Sequence, residues 1–560
     1  MNVHSAVNGV EELVSILTGH GVGHAVISPG SRNAPLSIAM SNRAGLKTFV
    51  VADERSAGYF ALGMSWALKK PVVLVCTSGT ASLNYHPAIA EAFYRNIPLI
   101  VITADRPEEW IDQGDGQTIR QQGIFSNHIK FEATLPSIND IDTQWHFNRL
   151  VNDAVLAGQH YPKGPVHLNF PLREPLYKRT NTLPAEVRVV KQIHSFPFPA
   201  EESINELKKL VEKSAKTLIL CGQQYPNENL NRVLTSFSSS SSVFVLTETT
   251  SNLDLPFSSS SIDRLIDGFT ETDKTDFAPD FLITLNGAVV SKKVKAWLRK
   301  ATVPVHLHIG EAQTMPDTYQ HLTHWIHAEP EFILAALAEA KNDTSVYQQQ
   351  WMNLSTKKEK NHDAFADSCE WSDFSMYRDF LPTIPEGTLL HLANSTPIRY
   401  SQLFGATKGV IYDSNRGTSG IDGCVSTAAG AAAFHNGMTC VISGDIGFQY
   451  DSNALWNNYL SEKLRILLVN NKGGNIFRII DGPEDDTEMK TYFETFQETN
   501  VQALCTQFNI QYLSASNDSE LSDRLEIFWH PTDRPVLLEV FTDNKISPAV
   551  LKLYFNALKN

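Results

Sequence analysis

The sequence predicts an α/β protein with three doubly wound parallel-sheet domains. Short runs rich in Val, Ile and Leu recur without polar alternation, which indicates strands that are covered by helices on both faces. Helical-looking stretches separate consecutive runs, as the crossovers between parallel strands require. Two long polar segments divide the runs into three sets, and each set predicts one sheet.

Each predicted domain is defined by its own set of apolar strands. In a domain at residues 1–180 we expect the strands Ala25–Ser28, Val72–Cys76, Leu99–Thr103 and Val166–Asn169. In a domain at residues 190–340 we expect Thr217–Cys221, Val243–Thr247, Phe281–Leu285 and Val305–Ile309. In a domain at residues 372–560 we expect Thr388–Leu392, Val410–Tyr412, Thr439–Ser443, Leu464–Val469 and Val536–Phe541.

The stretches that separate the sets are polar. Pro171–Pro184 is rich in proline and charge, and Lys341–Trp371 is strongly polar. Both are predicted to be linkers with some local helix. The serine runs Ser238–Ser242 and Ser258–Ser261 are predicted to be loops of the middle domain.

Composition and charge argue against several classes of function. The chain has 560 residues and a formal charge of −14 without a concentrated Lys/Arg run, so we expect no nucleic-acid partner. No apolar run reaches membrane-spanning length and no signal or transit peptide is evident, so we expect a cytoplasmic protein. The six scattered cysteines fit reduced thiols better than disulfides or a zinc site. Zinc-hydrolase and P-loop motifs are absent from the sequence.

Two consecutive strands of the third set end in polar residues. Gly444 and Asp445 follow one strand, and Asn471 and Gly473 follow the next, with Asn471 26 positions after Asp445. The carboxyl ends of parallel strands meet at one edge of a sheet, where ligands bind. Mg²⁺ prefers about six oxygen ligands and often takes some of them from phosphates. We therefore interpret these residues as a site for a divalent cation on a diphosphate. Two ordinary turns are the alternative, because these residue types are common in turns.

Another candidate carboxylate lies near the beginning of the chain. Glu54 follows the strand-like Thr48–Val51, and Tyr59, Leu62 and Trp66 recur after it at helical spacing. The sequence therefore predicts Glu54 at the start of a helix. Considered alone, a carboxylate there needs no role beyond a favourable interaction with the helix dipole.

Together, these two features resemble the motifs of thiamin-diphosphate enzymes, in which Gly-Asp-Gly is followed at a similar separation by Asn-Asn. Further segments are similar to one such family, 2-succinyl-5-enolpyruvyl-6-hydroxy-3-cyclohexene-1-carboxylate synthase. They are Ser28–Pro35, Asp53–Ala57, Thr77–Ala81, Ala104–Pro107, Ser414–Gly417, Ser419–Gly423 and Asn471–Phe477. Ile446 replaces the second Gly of the general motif, and it fits this family, in which that position is usually not Gly.

The resemblance implies a transferase of menaquinone biosynthesis. Members join the small molecules isochorismate and 2-oxoglutarate with loss of carbon dioxide, and they depend on thiamin diphosphate with Mg²⁺, for which Mn²⁺ is a substitute. Their domains are, in order, pyrimidine-binding, middle and diphosphate-binding. Members are homodimers or homotetramers, with the cofactor between the first domain of one chain and the third domain of another.

The resemblance also implies roles for individual residues. Asp445, Asn471 and the Gly473 carbonyl would hold the metal ion, Glu54 would contact the pyrimidine ring, and Ile421 would wedge the cofactor into a bent conformation. Further cofactor contacts would come from Thr80, Asn394, Gly444 and Ile476. Substrates would be bound by Ser31, Arg32, Arg106, Gln117, Lys292, Ser395, Arg399, Arg416 and Phe477. Arginine suits such acidic substrates because its planar fork can donate two parallel hydrogen bonds to a carboxylate.

Two alternatives stay open from the sequence. Another thiamin-diphosphate 2-oxoacid decarboxylase or carboligase would share the metal motif and Glu54, without requiring Arg32, Arg399 and Arg416. A non-catalytic diphosphate-binding protein would use the same strand ends, but binding alone would not need Glu54.

Overall fold

Three six-stranded parallel sheets organise the chain. A computed structural model describes residues 4–182, 186–193, 198–310, 312–340, 342–343, 345–479 and 487–559. Every strand pairing within the three sheets is parallel, which confirms the predicted fold class. A separate antiparallel pair joins His4–Ser5 to Arg179–Thr180.

The first and third sheets share one strand order, which is 2-1-3-4-6-5 when strands are numbered along the chain within each sheet. From edge to edge, the first sheet consists of Lys47–Val50, His24–Ile27, Val72–Cys76, Leu99–Asp105, Val166–Pro171 and Glu132–Thr134. The third consists of Ile411–Asp413, Leu389–Leu392, Thr439–Gly444, Leu464–Asn470, Val536–Phe541 and Gln511–Ala515.

The middle sheet has a different order, 3-2-1-4-5-6, which is that of many dinucleotide-binding folds. From edge to edge it consists of Ser258–Ser259, Val243–Leu246, Thr217–Cys221, Phe281–Leu285, Val305–Ile309 and His324–Ile326. Along the chain, two sheets with the same strand order therefore precede and follow a sheet with a different order.

Helices cover both faces of the sheets. In the strand Val72–Cys76, Val72 and Leu74 belong to one apolar core, and Val73 and Val75 belong to another. The helices of the first domain are Val10–Gly19, Ala34–Ser41, Glu54–Leu68, Thr80–Asn84, His86–Tyr94 and Ile141–Gln159. Those of the middle domain are Glu201–Lys213, Glu228–Phe237, Ile262–Ile266, Glu271–Asp276, Lys292–Lys300 and Pro330–Leu337. Those that follow are Tyr347–Ala366, Asp373–Phe380, Thr396–Phe404, Cys424–Ala432, Asp445–Tyr450, Ile476–Ile479, Val501–Gln507, Asp518–Trp529 and Ile546–Ala557.

The inner strands agree with the prediction, whereas several edge strands were not predicted. Glu132–Thr134, Ser258–Ser259, His324–Ile326 and Gln511–Ala515 are short or partly polar because one side of an edge strand has no neighbouring strand. Ser258–Ser259, inside a run predicted to be a loop, pairs with Val243–Leu246. All strands of each sheet lie within the range predicted for its domain. The boundary residues Met1, Pro184, Lys341 and Asn560 lie outside the described residues, so the domain limits stay a prediction.

The segment predicted as the second linker is largely one 20-residue helix, Tyr347–Ala366. Its buried residues recur on a single face and are Tyr347, Trp351, Lys358, His362 and Ala366. Trp351 stacks on Phe244 of the middle domain with ring centroids 5.1 Å apart. His362 Nδ1 lies 2.9 Å from the hydroxyl of Tyr554 in the third domain. The helix is thus a packed connection between two domains, and its polar composition comes from its exposed faces.

The first and third domains meet along the helices Glu54–Leu68 and Cys424–Ala432. A Cβ on Gly63 would lie 1.9 Å from the carbonyl oxygen of Thr427, and one on Gly430 would lie 2.0 Å from a carbonyl oxygen of the first helix. The two backbones therefore touch, which a side chain at either position would prevent. Residues of both helices contribute to one shared apolar core.

Candidate functional site

The ends of two neighbouring strands form the first part of the candidate site. Thr439–Gly444 and Leu464–Asn470 are paired in parallel, so their polar ends meet at the same edge of the third sheet. Asp445 begins the helix after the first strand. Its Oδ2 accepts a hydrogen bond of 2.8 Å from the Gly473 N–H. The structure thus brings Asp445 and Gly473 into contact.

The charge around Asp445 suits a bound cation. Burial, assisted by the negative charge of Asp373, raises the pKa of Asp445 to about 6. Among the described residues, no Lys or Arg forms a salt bridge with either carboxylate. Two buried acids without a positive partner are costly unless a cation joins them. A Cβ on Gly444 would meet no atom within 4 Å, so there is open space beside the loop.

The other two candidate metal ligands lie in the same loop. Asn471 is buried, and its Nδ2 donates a hydrogen bond of 3.2 Å to Asp373 Oδ2. A Cβ on Gly473 would lie 2.7 Å from the carbonyl oxygen of Glu494, so only glycine fits there. The donor set of carboxylate, amide and backbone oxygens is one that Mg²⁺ prefers.

The residues after the loop 471–473, named here the metal loop for its candidate ligands, are aromatic and apolar. Ile476 and Phe477 begin the helix Ile476–Ile479, and both are half-buried. The Phe477 ring packs against Phe493 with centroids 5.5 Å apart. This segment therefore forms an apolar side of the loop.

Asn394 ties together the loops at the neighbouring strand end. Its Nδ2 donates to the carbonyl oxygens of Asn415 and Gly420 at 2.7 and 2.6 Å, and its Oδ1 accepts a 2.8 Å hydrogen bond from Arg416 Nη1. Ser395 follows with a positive φ of 78° and precedes the helix that carries Arg399. These bonds fix the direction of the Arg416 side chain.

Ile421 lies between this loop and the Asp445 helix. A Cβ on Gly447 in that helix would lie 3.6 Å from Ile421 Cβ, and the isoleucine side chain is half-buried. The next residue, Asp422, accepts a hydrogen bond of 2.9 Å from the Tyr59 hydroxyl of the first domain.

The first domain anchors the loop that carries Arg416. Glu91 is fully buried, and its Oε1 accepts a 2.9 Å hydrogen bond from the Gly417 N–H. Its Oε2 accepts hydrogen bonds from Thr418 N–H at 2.6 Å and from Thr418 Oγ1 at 2.8 Å. Arg95, one helical turn further on, forms a buried ion pair with Asp413 at the end of the preceding strand.

Glu54 lies where the sequence predicts it, at the first residue of the helix Glu54–Leu68. Asp53 caps this helix by accepting hydrogen bonds from the N–H groups of Arg55 and Ser56. Burial raises the pKa of the Glu54 carboxyl, and the charge of Asp53 acts in the same direction. A carboxyl of this kind suits proton sharing with a neutral partner better than a solvated one does.

Two predicted arginines follow strands of the first sheet, at the same carboxyl-terminal edge as Glu54. Arg32 is buried, its Nη1 donates to the Leu172 carbonyl at 2.9 Å, and its Nη2 lies 3.3 Å from the Glu174 carboxylate. Arg106 Nη1 lies 3.2 Å from the Asp115 carboxylate. Burial lowers the pKa of Arg32, and the charge of Arg106 lowers it further, so the two guanidinium groups are neighbours. The remaining predicted residues of this edge have exposed side chains and are Ser31, Thr80 and Gln117.

The structure therefore assembles the predicted residues in two groups, one at the edge of the first sheet and one at the edge of the third. Among the described residues, no hydrogen bond or ion pair joins a predicted residue of one group to one of the other within a chain. The two edges are nevertheless tied together by flanking residues. Asn453 Nδ2 donates to Asp53 Oδ2 at 2.6 Å, and Arg55 Nη2 donates to the Tyr450 carbonyl at 2.7 Å.

Comparison with known proteins identifies the family. Residues 7–124 match the model of the thiamine pyrophosphate enzyme N-terminal TPP binding domain. The chain is 38% identical to 2-succinyl-5-enolpyruvyl-6-hydroxy-3-cyclohexene-1-carboxylate synthase of Flavobacterium johnsoniae and 39% identical to that of Flavobacterium psychrophilum, with 98% of this chain and of each relative aligned. It is 37% identical to the synthase of Porphyromonas gingivalis, over 99% of this chain and 97% of the relative. The chain belongs to the 2-succinyl-5-enolpyruvyl-6-hydroxy-3-cyclohexene-1-carboxylate synthase family.

Within this synthase fold, one cation was not predicted from the sequence. Lys292, which was predicted, has an exposed side chain at the start of the helix Lys292–Lys300. Lys295 is half-buried, and its Nζ donates a hydrogen bond of 2.5 Å to a backbone carbonyl. Burial lowers the pKa of Lys295, and the charges of Arg416 and Arg399 act in the same direction. Lys295 is therefore close enough to the third-domain arginines to feel their charge, and the role of Lys292 stays a prediction.

A cavity of about 630 Å³ lies where the three domains meet. Arg416 and Arg95 line it, together with Gln223 and Asn286 of the middle domain. Asp445, Glu54 and the other predicted cofactor residues do not line it, so this cavity is separate from the candidate cofactor site. No helix in the part of the chain that the structure describes is long and apolar enough to cross a membrane.

Proposed function

We propose that this chain is a thiamin-diphosphate-dependent transferase that joins 2-oxoglutarate to isochorismate with loss of carbon dioxide, in menaquinone biosynthesis. The observation that carries the proposal is similarity over 98% of the chain to enzymes that are named for the product of this reaction. Glu54, Asp445 and Asn471 lie at the edges of two sheets, where the reaction would need them.

We propose that Asp445, Asn471 and the Gly473 carbonyl hold Mg²⁺, with Mn²⁺ as a substitute. The open space beside Gly444 leaves room for the diphosphate, and Thr80, Asn394 and Ile476 add further contacts. When bound, thiamin diphosphate supplies the electron sink that decarboxylation requires. Glu54 would share a proton with the pyrimidine ring, for which its raised pKa is suitable. Ile421, next to the Asp445 helix, would contact the cofactor as the wedge that the family resemblance implies.

Both proposed substrates are anionic, whereas the chain has a net charge of −14. Local cations must therefore attract them. Arg32 and Arg106 supply positive charge at the first-sheet edge, and Arg399 and Arg416 supply it at the third-sheet edge. Lys295 adds a cation from the middle domain and is a better candidate than Lys292. The other proposed substrate contacts are Ser31, Gln117, Ser395 and Phe477.

We propose a homodimer, or a homotetramer of two such dimers, in which one protomer contributes Glu54 and its partner contributes the metal loop. The separation of the predicted residues into two groups that are not bonded to each other within a chain supports this arrangement. We also propose a cytoplasmic location. There the six cysteines, none of which forms a disulfide in the structure, would stay reduced.

The test is an assay with purified protein, thiamin diphosphate, Mg²⁺, isochorismate and 2-oxoglutarate. We expect isochorismate absorbance to fall and carbon dioxide to appear only when all four are present. Pyruvate in place of 2-oxoglutarate serves as the control substrate. Release of carbon dioxide from pyruvate at a comparable rate would instead support another thiamin-diphosphate decarboxylase or carboligase.

A further inference from the structure

Asp373, a buried acid outside the predicted site, contacts one of the proposed metal ligands. It begins the helix Asp373–Phe380 and is 1% exposed. Its Oδ2 accepts the 3.2 Å hydrogen bond from Asn471 Nδ2. Its Oδ1 accepts hydrogen bonds from the hydroxyls of Thr542 at 2.5 Å and Ser547 at 3.1 Å. Two hydroxyl groups therefore hold the carboxylate in place in addition to its contact with Asn471.

The amide of Asn471 has one acceptor atom and one donor group, and the direction in which it faces decides whether it can bind a cation. An ionised carboxylate accepts hydrogen bonds but donates none. Asp373 therefore selects the orientation in which the Asn471 NH₂ faces it and Oδ1 faces away. Among the described residues, none donates a hydrogen bond to Asn471 Oδ1. In the flipped orientation, the oxygen would face a carboxylate and the NH₂ group would face the cation, so both contacts would be repulsive.

We propose that Asp373 is a positioning residue that orients the Asn471 amide so that its oxygen faces the metal ion. This inference rests on the proposed function, because it assumes that Asn471 is a metal ligand. Groups that orient a metal ligand in this way typically change metal affinity by about 10- to 100-fold when they are removed.

Metal affinity of the Asp373→Asn variant tests the proposal without relying on catalysis. The probe is Mn²⁺, titrated into protein with saturating thiamin diphosphate, with free Mn²⁺ followed by electron paramagnetic resonance. We expect the Kd for Mn²⁺ to rise by roughly 10- to 100-fold in Asp373→Asn. The control is Asp379→Asn. Asp379 lies on the same helix, pairs with Arg378 and does not contact the metal loop. This control should bind Mn²⁺ as wild type does.

A reciprocal exchange separates orientation from a general loss of structure. Asn471→Asp alone places two carboxylates side by side and should weaken Mn²⁺ binding. Combined with Asp373→Asn, it restores an amide and a carboxylate in exchanged positions, with the new amide donating to the new metal ligand. We expect the double variant to bind Mn²⁺ more tightly than either single variant. Losses that simply add would overturn the proposal.

Two further outcomes are informative. If Asp373→Asn does not fold, Thr542→Val keeps the carboxylate but removes one hydrogen bond that fixes it, and the Kd should rise roughly three- to tenfold. An unchanged Kd in the folded variant, with wild type binding Mn²⁺, would refute the role of Asp373 alone. If wild type itself bound no Mn²⁺ in the presence of thiamin diphosphate, the proposed function would fail first.

Discussion

At the scale of single residues, the chain has several buried or half-buried carboxyl groups whose surroundings disfavour the charged form. Glu54 and Asp445 are two of them, and the proposed function uses both. Glu248 and Asp451 are two more, and burial raises the pKa of each to about 7. Glu54 and Asp445 belong to the candidate site, whereas Glu248 and Asp451 do not, so the substitution of the two pairs should have different effects.

For Glu54 we predict that Glu54→Gln retains thiamin diphosphate but loses turnover. Glutamine has nearly the same shape, but it cannot share the proton that the carboxyl group holds. We expect a fall in kcat of roughly 100-fold or more, with a cofactor Kd within about threefold of the wild-type value. Steady-state kinetics and calorimetric titration of the cofactor measure the two quantities. The control is Glu202→Gln, on an exposed helix of the middle domain, and normal turnover in Glu54→Gln would refute the assigned role.

For Asp451 we predict a stability effect that depends on pH. Its carboxyl oxygens accept hydrogen bonds from the Ser426 N–H at 2.7 Å and Oγ at 2.6 Å, and burial raises its pKa to about 7 from the ordinary value near 4. The folded state therefore binds this proton more tightly than the unfolded state. The resulting stability is fully present below about pH 4 and is lost as the pH rises through about 7.

Asp451→Asn removes this titration. Relative to wild type, its free energy of unfolding should rise by about 2–3 kcal/mol between pH 5 and pH 8. Urea unfolding of both proteins at several pH values measures the difference between their free energies of unfolding. The titration of the other groups cancels in this difference. A difference that does not change with pH would contradict the prediction.

At the scale of secondary-structure elements, packed helices join the domains. The helix Tyr347–Ala366 inserts Trp351 into the middle-domain core and places His362 against the third domain. The helix Glu54–Leu68 lies backbone to backbone on Cys424–Ala432. Both contacts predict sensitive positions in regions distant from the proposed chemistry.

Trp351→Ala should destabilise the protein by about 3–5 kcal/mol, because it empties a fully buried site between Phe244 and Phe277. Scanning calorimetry of the variant provides the measurement. Gln350→Ala, at the exposed neighbouring position, is the control and should change stability by less than about 0.5 kcal/mol. Equal stability of the two variants would mean that the helix does not contribute to the core.

Gly63→Ala should loosen the contact between the first and third domains. The added Cβ would lie 1.9 Å from the Thr427 carbonyl oxygen, so the helices must separate. We expect a loss of roughly 1–3 kcal/mol and faster proteolysis between the domains. Thermal unfolding and limited digestion test this expectation. The control is Gly23→Ala, where the nearest atom is 3.6 Å from the new Cβ, and an equally small effect in both would disprove the tight contact.

Strands that are buried on both faces were predicted from the sequence, whereas several strands at the sheet edges were not. Inner strands such as Val72–Cys76 were predicted because burial on both faces leaves an uninterrupted apolar run. Edge strands such as Ser258–Ser259 lack this signal because solvent replaces one neighbour. The helix Tyr347–Ala366 was predicted as part of a linker because its average polarity is high. Its buried residues follow a helical period that could have identified it as a packed helix.

The candidate site could also be predicted only in part. Asp445 and Asn471 could be predicted because their strand ends and their spacing in the sequence are distinctive. Lys295 was missed, although Ser291, Val294 and Leu298 share its helical face and are buried. Asp373 could not be found from the sequence, because 98 positions separate it from Asn471 and only the folded chain brings them together.

At the scale of the whole molecule, two sheets of one strand order present different halves of the candidate site. The first-sheet edge carries Glu54, and the third-sheet edge carries the candidate metal ligands Asp445 and Asn471. Two such edges from different protomers would give a dimer two equivalent sites. This arrangement predicts how inactive variants behave when they are mixed.

Glu54→Gln and Asp445→Ala should each be inactive as homodimers, yet a heterodimer of the two should recover about half of the wild-type activity. If each site takes Glu54 from one protomer and Asp445 from the other, one site of the heterodimer is intact and the second carries both changes. Co-expression with two affinity tags isolates the heterodimer, and light scattering gives its mass. An inactive heterodimer would indicate that each site is formed within a single chain.

The anchoring of the Arg416 loop by Glu91 also determines the order of events during biosynthesis. The ribosome releases the N-terminal part of the chain first, and the loop that Glu91 holds emerges more than 300 residues later. Until then, this carboxylate has no Gly417 or Thr418 amide to bind. The anchored conformation of the Arg416 loop therefore cannot form on a nascent chain that ends before this loop. It forms only after the last third of the polypeptide folds back onto the first.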